Sequence, residues 1–195
     1  MEYRTDKNQL LQELRKWDSL FTGRKIHLIA CGGTALTLLG YKESTKDVDF
    51  IVPDEREHDR LIDFLIKAGY KETSDSGWAY PGENIRYDLY RGKKVFTTNL
   101  INSPLEDGKN IKIMALKRIY LGALNPIDLI ITKMFRGSSV DRQDCNELAK
   151  FEKIDLGELE KRFRETASYE IAEDRVLKNL KLIVDDIKQI QRERS

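Results

Sequence analysis

Residues 26–52 read IHLIACGGTALTLLGYKESTKDVDFIV, and this stretch decides the fold. The apolar run IHLIAC predicts a buried strand, and Gly32 and Gly33 after it predict a tight turn. TALTLLG then predicts a short helix closed by its glycine, and KDVDFIV predicts a second strand. The stretch therefore predicts strand, helix and strand, with two carboxylates, Asp47 and Asp49, on the second strand.

The two aspartates lie two residues apart, and residues at that spacing share one face of a strand. Asp47 and Asp49 therefore point the same way, while Val48, Phe50 and Val52 point into the core. Two like charges so close either share a proton or hold a cation, and hard oxygen ligands favour Mg²⁺ or a similar ion. The alternative is that both aspartates form the solvent face of an edge strand.

The segment NIRYDLY repeats this alternation further along the chain. Ile85, Tyr87 and Leu89 form a core face, and Arg86, Asp88 and Tyr90 point to the other side. Asp88 can complete a triad with the two earlier aspartates. Three carboxylates suit two bound metal ions.

Composition limits the class of protein. The 195 residues fit one domain, with or without a small appendage, and the chain is 40% hydrophobic and 34% charged. This balance excludes disorder, and the net charge of +1 argues against a protein that coats nucleic acid. Residues 108–143 are locally basic, with seven positive and two negative side chains. That segment is either an anion-binding surface or a solvated basic face.

The cysteines and the N-terminus indicate the compartment. Cys31 and Cys145 form no CxxC pair, and Cys31 ends an apolar run, as a buried structural thiol does. The N-terminal residues contain no apolar signal segment, and no apolar run approaches the roughly 20 residues that a membrane span needs. We therefore expect a cytoplasmic protein with no membrane partner.

The order of predicted elements gives the fold class. A helix, a strand, a short helix, a strand, a helix and several strands precede a helical last third. In that last third Asn125 predicts a helix N-cap, and Ser138 with Asp141 predicts a capping box. We expect an α/β (α+β) protein with a mixed sheet flanked by helices over residues 1–124 and a helical lobe over residues 125–195, or one continuous domain.

The apolar strand, the GG turn, the short helix, KDVDF and YDLY together resemble the polymerase-β-type nucleotidyltransferase superfamily. GGTALTLLG, STKDVDF and the later IDLIITKMFRGSSVDRQD are similar to minimal nucleotidyltransferases of the abortive-infection (AbiEii-like) toxin type. The resemblance covers Ile26 to Leu148. It implies a nucleotidyltransferase catalytic core at residues 1–124, with residues 125–195 completing the NTP site.

The resemblance also implies a reaction. A nucleoside monophosphate would move from an NTP to an acceptor hydroxyl on RNA, such as tRNA, or on a protein, and pyrophosphate would leave. Asp47, Asp49 and Asp88 would be the catalytic residues and the ligands of two Mg²⁺ ions, with Mn²⁺ as a substitute. The toxin likeness adds an antitoxin protein as a partner.

The glycine pair suggests where phosphate binds. Gly32 and Gly33 let the backbone approach a phosphate, and the short helix aims its N–H groups at it. Many superfamily members have Gly-Ser at this position, so the resemblance assigns the hydroxyl to Thr34.

The resemblance assigns further nucleotide contacts to the late helices. Lys133 matches a helix lysine that contacts the triphosphate, and Arg136 and Arg142 are phosphate candidates nearby. Asp144 matches an acidic residue on the next helix, with Asp141 as the competing register. A second function class stays open, a regulatory protein that binds nucleotide without turnover.

Overall fold

A computed structural model describes residues 3–74, 76–170 and 173–194. Clustering of contacts divides the chain into two compact units. The first, here the sheet unit, contains residues 1–94 and 102–124, and the second, here the helical unit, contains residues 95–101 and 125–195. The functional division between a catalytic core at 1–124 and a lobe at 125–195 stays a prediction.

Strands and helices alternate through the sheet unit, and helices dominate the helical unit. The strands are β1 (Thr5–Asp6), β2 (Ile26–Ala30), β3 (Ser44–Thr45), β4 (Val48–Val52), β5 (Lys71–Ser74), β6 (Gly77–Ala79), β7 (Arg86–Arg91), β8 (Lys94–Val95), β9 (Thr98–Asn99), β10 (Asn110–Ala115) and β11 (Ile119–Leu124). The helices are α1 (Lys7–Leu20), α2 (Gly32–Leu39), α3 (Glu55–Lys67), α4 (Pro126–Arg136), α5 (Ser139–Phe151), α6 (Leu156–Ala167) and α7 (Glu173–Glu193).

A seven-stranded sheet forms the centre of the sheet unit. Its order is β10-β11-β2-β4-β7-β6-β5. The pairs β11–β2 and β4–β7 are parallel and the other four are antiparallel, so the predicted mixed sheet is confirmed. β4 is the middle strand, and all five of its residues are buried. The alternative that Asp49 lies on an edge strand is therefore wrong.

Two local predictions around β4 need correction. The glycine pair does not form a turn before α2, because the helix begins at Gly32 itself, which has a left-handed φ of +56°. Asp47 precedes β4 and is half-buried, so only Asp49 lies within the strand. The segment KVFTTNL, whose pattern predicts one strand, is divided into β8 and β9, which pair with each other.

Helix boundaries follow the sequence closely. Asp6 caps α1 in a capping box with Gln9, and Asn125 caps α4. The predicted capping box of Ser138 and Asp141 is confirmed at the start of α5. These caps satisfy backbone N–H groups that have no partner within the helix, which fixes where each helix starts.

The core of the sheet unit is aromatic where α1 meets the sheet. Trp17 is 2% exposed, and its ring lies 4.7 Å from that of Tyr87 on β7, measured between centroids. Its indole nitrogen donates a hydrogen bond to the Tyr70 hydroxyl at 3.0 Å. Tyr87 therefore faces the core, as its place in the alternation predicts, and Asp88 takes the opposite face.

The helical unit packs α4, α5 and α6 against the last helix. The apolar face of α7 is buried there through Val176, Leu180, Ile183, Val184 and Ile187.

The sequence pattern does not predict helix α6 as a separate element. Cys31 and Cys145 are both buried, and neither is part of a disulfide. None of the helices in the described ranges combines the length and the apolar character needed to cross a bilayer.

Candidate functional site

Asp49 and Asp88 lie side by side in the middle of the seven-stranded sheet. They are paired in register on the parallel strands β4 and β7. Neighbouring strands are about 4.8 Å apart, and residues paired in register present their side chains on the same face. The two carboxylates are 6% and 7% exposed. The sheet thus brings together two of the three predicted carboxylates, with Asp47 near the start of β4.

Thr34 fixes the backbone that carries these aspartates. Its hydroxyl accepts a hydrogen bond from the Asp49 N–H at 2.9 Å and donates to the Asp47 carbonyl at 3.2 Å. The Thr45 hydroxyl also donates to that carbonyl, at 2.8 Å. The described contacts of the Thr34 hydroxyl therefore position β4, and its predicted contact with nucleotide stays a prediction.

Gly32 and Gly33 bring the first turn of α2 close to Asp49 on β4 and Thr45 on β3. A Cβ on Gly32 would lie 2.8 Å from the Asp49 carboxylate oxygen Oδ2, and one on Gly33 would lie 2.7 Å from the Thr45 hydroxyl. The N-cap, Cys31, makes no side-chain hydrogen bond to this turn. The N–H groups at a helix start have no partner within the helix and attract anions. Gly32 is thus required by space and by its left-handed backbone, and Gly33 by space.

A Gly32→Ala variant tests this close approach. The left-handed φ disfavours alanine by about 1–2 kcal/mol, and the new methyl group must displace the Asp49 carboxylate. The matched control is Gly40→Ala, since Gly40 ends the same helix at φ +87° with no neighbouring atom within 4 Å of its Cβ position. We expect both variants to lose stability in urea unfolding, and Gly32→Ala to lose more because its methyl group also meets Asp49. Nucleotide-dependent activity should fall roughly tenfold or more in Gly32→Ala and stay near the wild-type value in Gly40→Ala. Equal activity losses in the two variants would show that the close approach of Gly32 to Asp49 has no special role.

Asp88 is held by an arginine that the sequence pattern placed on the same face without giving it a role. Arg86 Nη2 donates to Asp88 Oδ1 at 3.0 Å and to the Ser74 hydroxyl at 2.9 Å. The bond to Asp88 raises the pKa of Arg86 above its usual value despite partial burial, and the charge of Asp47 adds to this. A basic residue two positions before a carboxylate was the only sequence signal for this pair.

The chemistry of the carboxylates fits a divalent metal. Their oxygens are the ligands that Mg²⁺ and Mn²⁺ prefer, and the side-by-side register places Asp49 and Asp88 where one ion can reach both. Within the described ranges no three carboxylate, imidazole or thiol side chains are already grouped as metal ligands. The three-carboxylate set of Asp47, Asp49 and Asp88 therefore stays a prediction.

The nucleotide residues predicted on the late helices form a buried charge cluster in the helical unit. Lys133 on α4 is 3% exposed. Its ammonium nitrogen lies 2.7 Å from Asp144 Oδ2 and 3.8 Å from Asp141 Oδ1, both on α5. Both candidate acids thus surround Lys133, and Asp144 is the closer. Lys133 is therefore a buried ion-pair residue.

The two predicted phosphate-binding arginines also have carboxylate partners. Arg136 donates from Nε to Asp141 Oδ2 at 2.8 Å, and Arg142 donates from Nε to Asp186 on α7 at 2.6 Å. Burial raises the pKa of Asp141, but hydrogen bonds from Arg136 and Ser138 outweigh it and hold that pKa below the usual value. Three of the seven positive residues counted over residues 108–143 lie on α4 and α5, and each of these three has a carboxylate partner.

Comparisons with known proteins agree with this architecture. A protein-family model, DUF6036, described as a nucleotidyltransferase of unknown function, matches residues 107–192. This match covers less than half of the chain and includes Lys133 and Asp144, but it does not include Asp47, Asp49 or Asp88. A search of curated proteins finds no match.

Two solved structures are similar in fold. ANT(2″)-Ia, solved in complex with adenylyl-2″-tobramycin, aligns with a TM-score of 0.54 and 13% identity over 83% of this chain and 96% of that one. An H. pylori protein provisionally called a nucleotidyltransferase aligns with a TM-score of 0.45 and 15% identity over 96% and 98%. The likeness to ANT(2″)-Ia shows that the chain has the mixed α/β fold of a nucleotidyltransferase. The AbiEii-like toxin type is not confirmed.

Proposed function

We propose that the chain is a metal-dependent nucleotidyltransferase that moves a nucleoside monophosphate from an NTP to an acceptor hydroxyl. The observation that carries this proposal is the pair of buried carboxylates, Asp49 and Asp88, in register at the middle of the sheet beside the start of α2. Burying a carboxylate is costly unless a cation or hydrogen bonds compensate its charge, and a bound divalent ion would compensate both carboxylates.

In this proposal, different residues of the sheet unit bind the metal, bind the phosphate and support the strand. Asp49 and Asp88, with Asp47, would hold Mg²⁺ or Mn²⁺, and the first turn of α2 would hold a phosphate through its N–H groups. The metal, when bound, supplies charge neutralisation for the triphosphate and lowers the pKa of the acceptor hydroxyl. Thr34 keeps β4 in place, so that the two carboxylates keep their spacing.

The bond changes balance without an outside reagent. The acceptor oxygen bonds to the α-phosphorus as the bond from that phosphorus to its bridging oxygen breaks, and pyrophosphate leaves. The hydroxyl proton passes to a carboxylate, for which we propose Asp88, and then to solvent. We propose RNA, including tRNA, or a protein as the acceptor, and an antitoxin as a partner only by resemblance.

Radiolabelled nucleotides test the reaction. Incubation with Mg²⁺ and RNA or protein acceptors should transfer label from α-labelled NTP and not from γ-labelled NTP, since the γ-phosphate leaves in pyrophosphate. Chelation of the metal with EDTA is the control and should stop transfer. Transfer of the γ-label would indicate a kinase and contradict the proposal.

One observation favours a second candidate, a nucleotide-binding protein without turnover. Asp88 is already balanced by Arg86, so a cation is present without any metal. This candidate predicts that NTP raises the melting temperature while no α-label is transferred to any acceptor. Melting temperature and α-label transfer, measured together, therefore separate the two candidates.

A further inference from the structure

Arg86 occupies a position that the proposed reaction does not explain. Its guanidinium contacts Asp88 at 3.0 Å, and its side chain is 45% exposed while that of Asp88 is 9% exposed. The Ser76 hydroxyl donates to the same oxygen, Asp88 Oδ1, at 3.4 Å. One carboxylate oxygen thus has both a cation and a hydroxyl as partners.

The surrounding strands are built to admit this side chain. Gly77 on β6 is paired in register with Asp88, and a Cβ there would lie 3.0 Å from Arg86 Nε and 2.5 Å from the Ser74 hydroxyl. The Ser74 hydroxyl in turn accepts from Arg86 Nη2 at 2.9 Å. The glycine provides the space and the serine orients the guanidinium toward Asp88.

Electrostatics gives this arrangement a consequence. Asp88 lies beside Asp49, and clustered carboxylates repel each other unless a cation is near. Arg86 supplies one positive charge there. A divalent ion bound to Asp88 would be a like charge a few ångströms from the guanidinium, so the arginine and the ion compete for the same carboxylate.

We propose that Arg86 is a positioning residue that holds Asp88 in the metal-free protein and must release it when metal binds. The inference rests on the proposed function, because it takes Asp88 as a metal ligand. Metal alone then binds weakly, and NTP, which brings negative charge, favours metal entry. Arg86 thereby couples metal binding to nucleotide binding.

Titration of the full chain with Mn²⁺ in the absence of nucleotide, followed by electron paramagnetic resonance, tests this coupling. Arg86→Gln removes the competing charge, and we expect Mn²⁺ to bind about threefold to tenfold more tightly than to the wild type. Arg86→Lys keeps the charge and should stay near the wild-type affinity. Adding NTP should then improve Mn²⁺ affinity less in Arg86→Gln than in the wild type.

Arg91→Gln is the matched control. Arg91 lies on the same strand with 49% side-chain exposure and pairs with exposed carboxylates of Glu55 and Asp59, at 3.2 and 3.4 Å. We expect its Mn²⁺ affinity to match the wild type. If Arg86→Gln does not fold, Ser74→Ala should show a smaller shift in the same direction, because it removes only the orienting hydrogen bond.

The outcomes separate this inference from the proposed function. Unchanged Mn²⁺ affinity in Arg86→Gln, together with lost binding in Asp49→Asn, would overturn the inference and leave the metal site standing. Absence of Mn²⁺ binding in all variants, with and without NTP, would overturn both.

Discussion

Replacing Asp49 with Asn is expected to reduce nucleotidyl transfer at least about a hundredfold while the protein stays folded. Asparagine has the same shape but no negative charge, so it binds a divalent cation far more weakly. Asp49 lies on the middle strand of the sheet and is 6% exposed, where few solvent molecules can replace the lost ligand. Initial rates with α-labelled NTP measure the effect.

The control for this variant is Asp59→Asn. Asp59 lies on α3 with a 59% exposed side chain and pairs only loosely with Arg91, at 3.4 Å. Asp59→Asn is the same chemical change at a residue away from Asp49 and Asp88, so the rate of this variant should equal that of the wild type. Undiminished transfer in Asp49→Asn would refute the metal assignment.

Melting curves add a readout that does not depend on turnover. A ligand that binds only the folded state raises the melting temperature by mass action. Mg²⁺ with NTP should raise that of the wild type and of Asp59→Asn, but hardly that of Asp49→Asn. Parallel curves for Asp47→Asn and Asp88→Asn would show whether all three carboxylates contribute.

Replacing Lys133 with Ala is expected to lower the free energy of unfolding by about 3–5 kcal/mol. Lys133 and its partner Asp144 are 3% and 8% exposed, so the variant leaves the Asp144 carboxylate buried without the ammonium at 2.7 Å. Asp141 keeps its hydrogen bond from Arg136, so the loss of Lys133 destabilises its carboxylate less. Urea unfolding followed by circular dichroism measures the change.

Lys150→Ala is the matched control, because it removes a lysine from the same helical unit. Lys150 pairs with Glu147 one turn away, and both side chains are about half exposed. Exposed pairs contribute little, so the expected loss is within about 1 kcal/mol. A loss of that size in Lys133→Ala would contradict the buried ion pair. The double variant Lys133→Ala, Asp144→Ala should lose less than the two single variants added together.

The ion pair also changes how a nucleotide-binding experiment on Lys133 must be interpreted. The resemblance to minimal nucleotidyltransferases implies that Lys133→Ala weakens NTP binding. A destabilised helical unit would produce the same loss without any contact between Lys133 and phosphate. NTP affinity should therefore be measured only below the urea concentration at which the variant begins to unfold.

Features that depend on near neighbours along the chain could be predicted from the sequence alone. The capping box of Ser138 and Asp141 needs only residues three apart, so the start of α5 was predicted correctly. The alternation along NIRYDLY likewise placed Tyr87 in the core and Asp88 on the other face. Both patterns follow from backbone geometry, which repeats every few residues.

The pKa of Cys145 is shifted in the direction that the sequence predicts, but for a different reason. The neighbouring acids Asp144 and Glu147 predict a raised pKa for Cys145 and thus a poor nucleophile. The pKa is raised, but burial is the largest cause, with Asp141 and Asp144 adding to it. Burial depends on helix packing, which no short stretch of sequence specifies.

The pairing of charged side chains could not be predicted from the sequence, because it depends on contacts between distant segments. The sequence could not place Asp49 on a middle strand, because strand order is set by pairings between distant segments. It could not show that Arg86 uses the space above Gly77 to reach Asp88, or that Lys133 faces Asp144 across two helices. The energy of a charge depends on its partners and its burial, and long-range packing sets both.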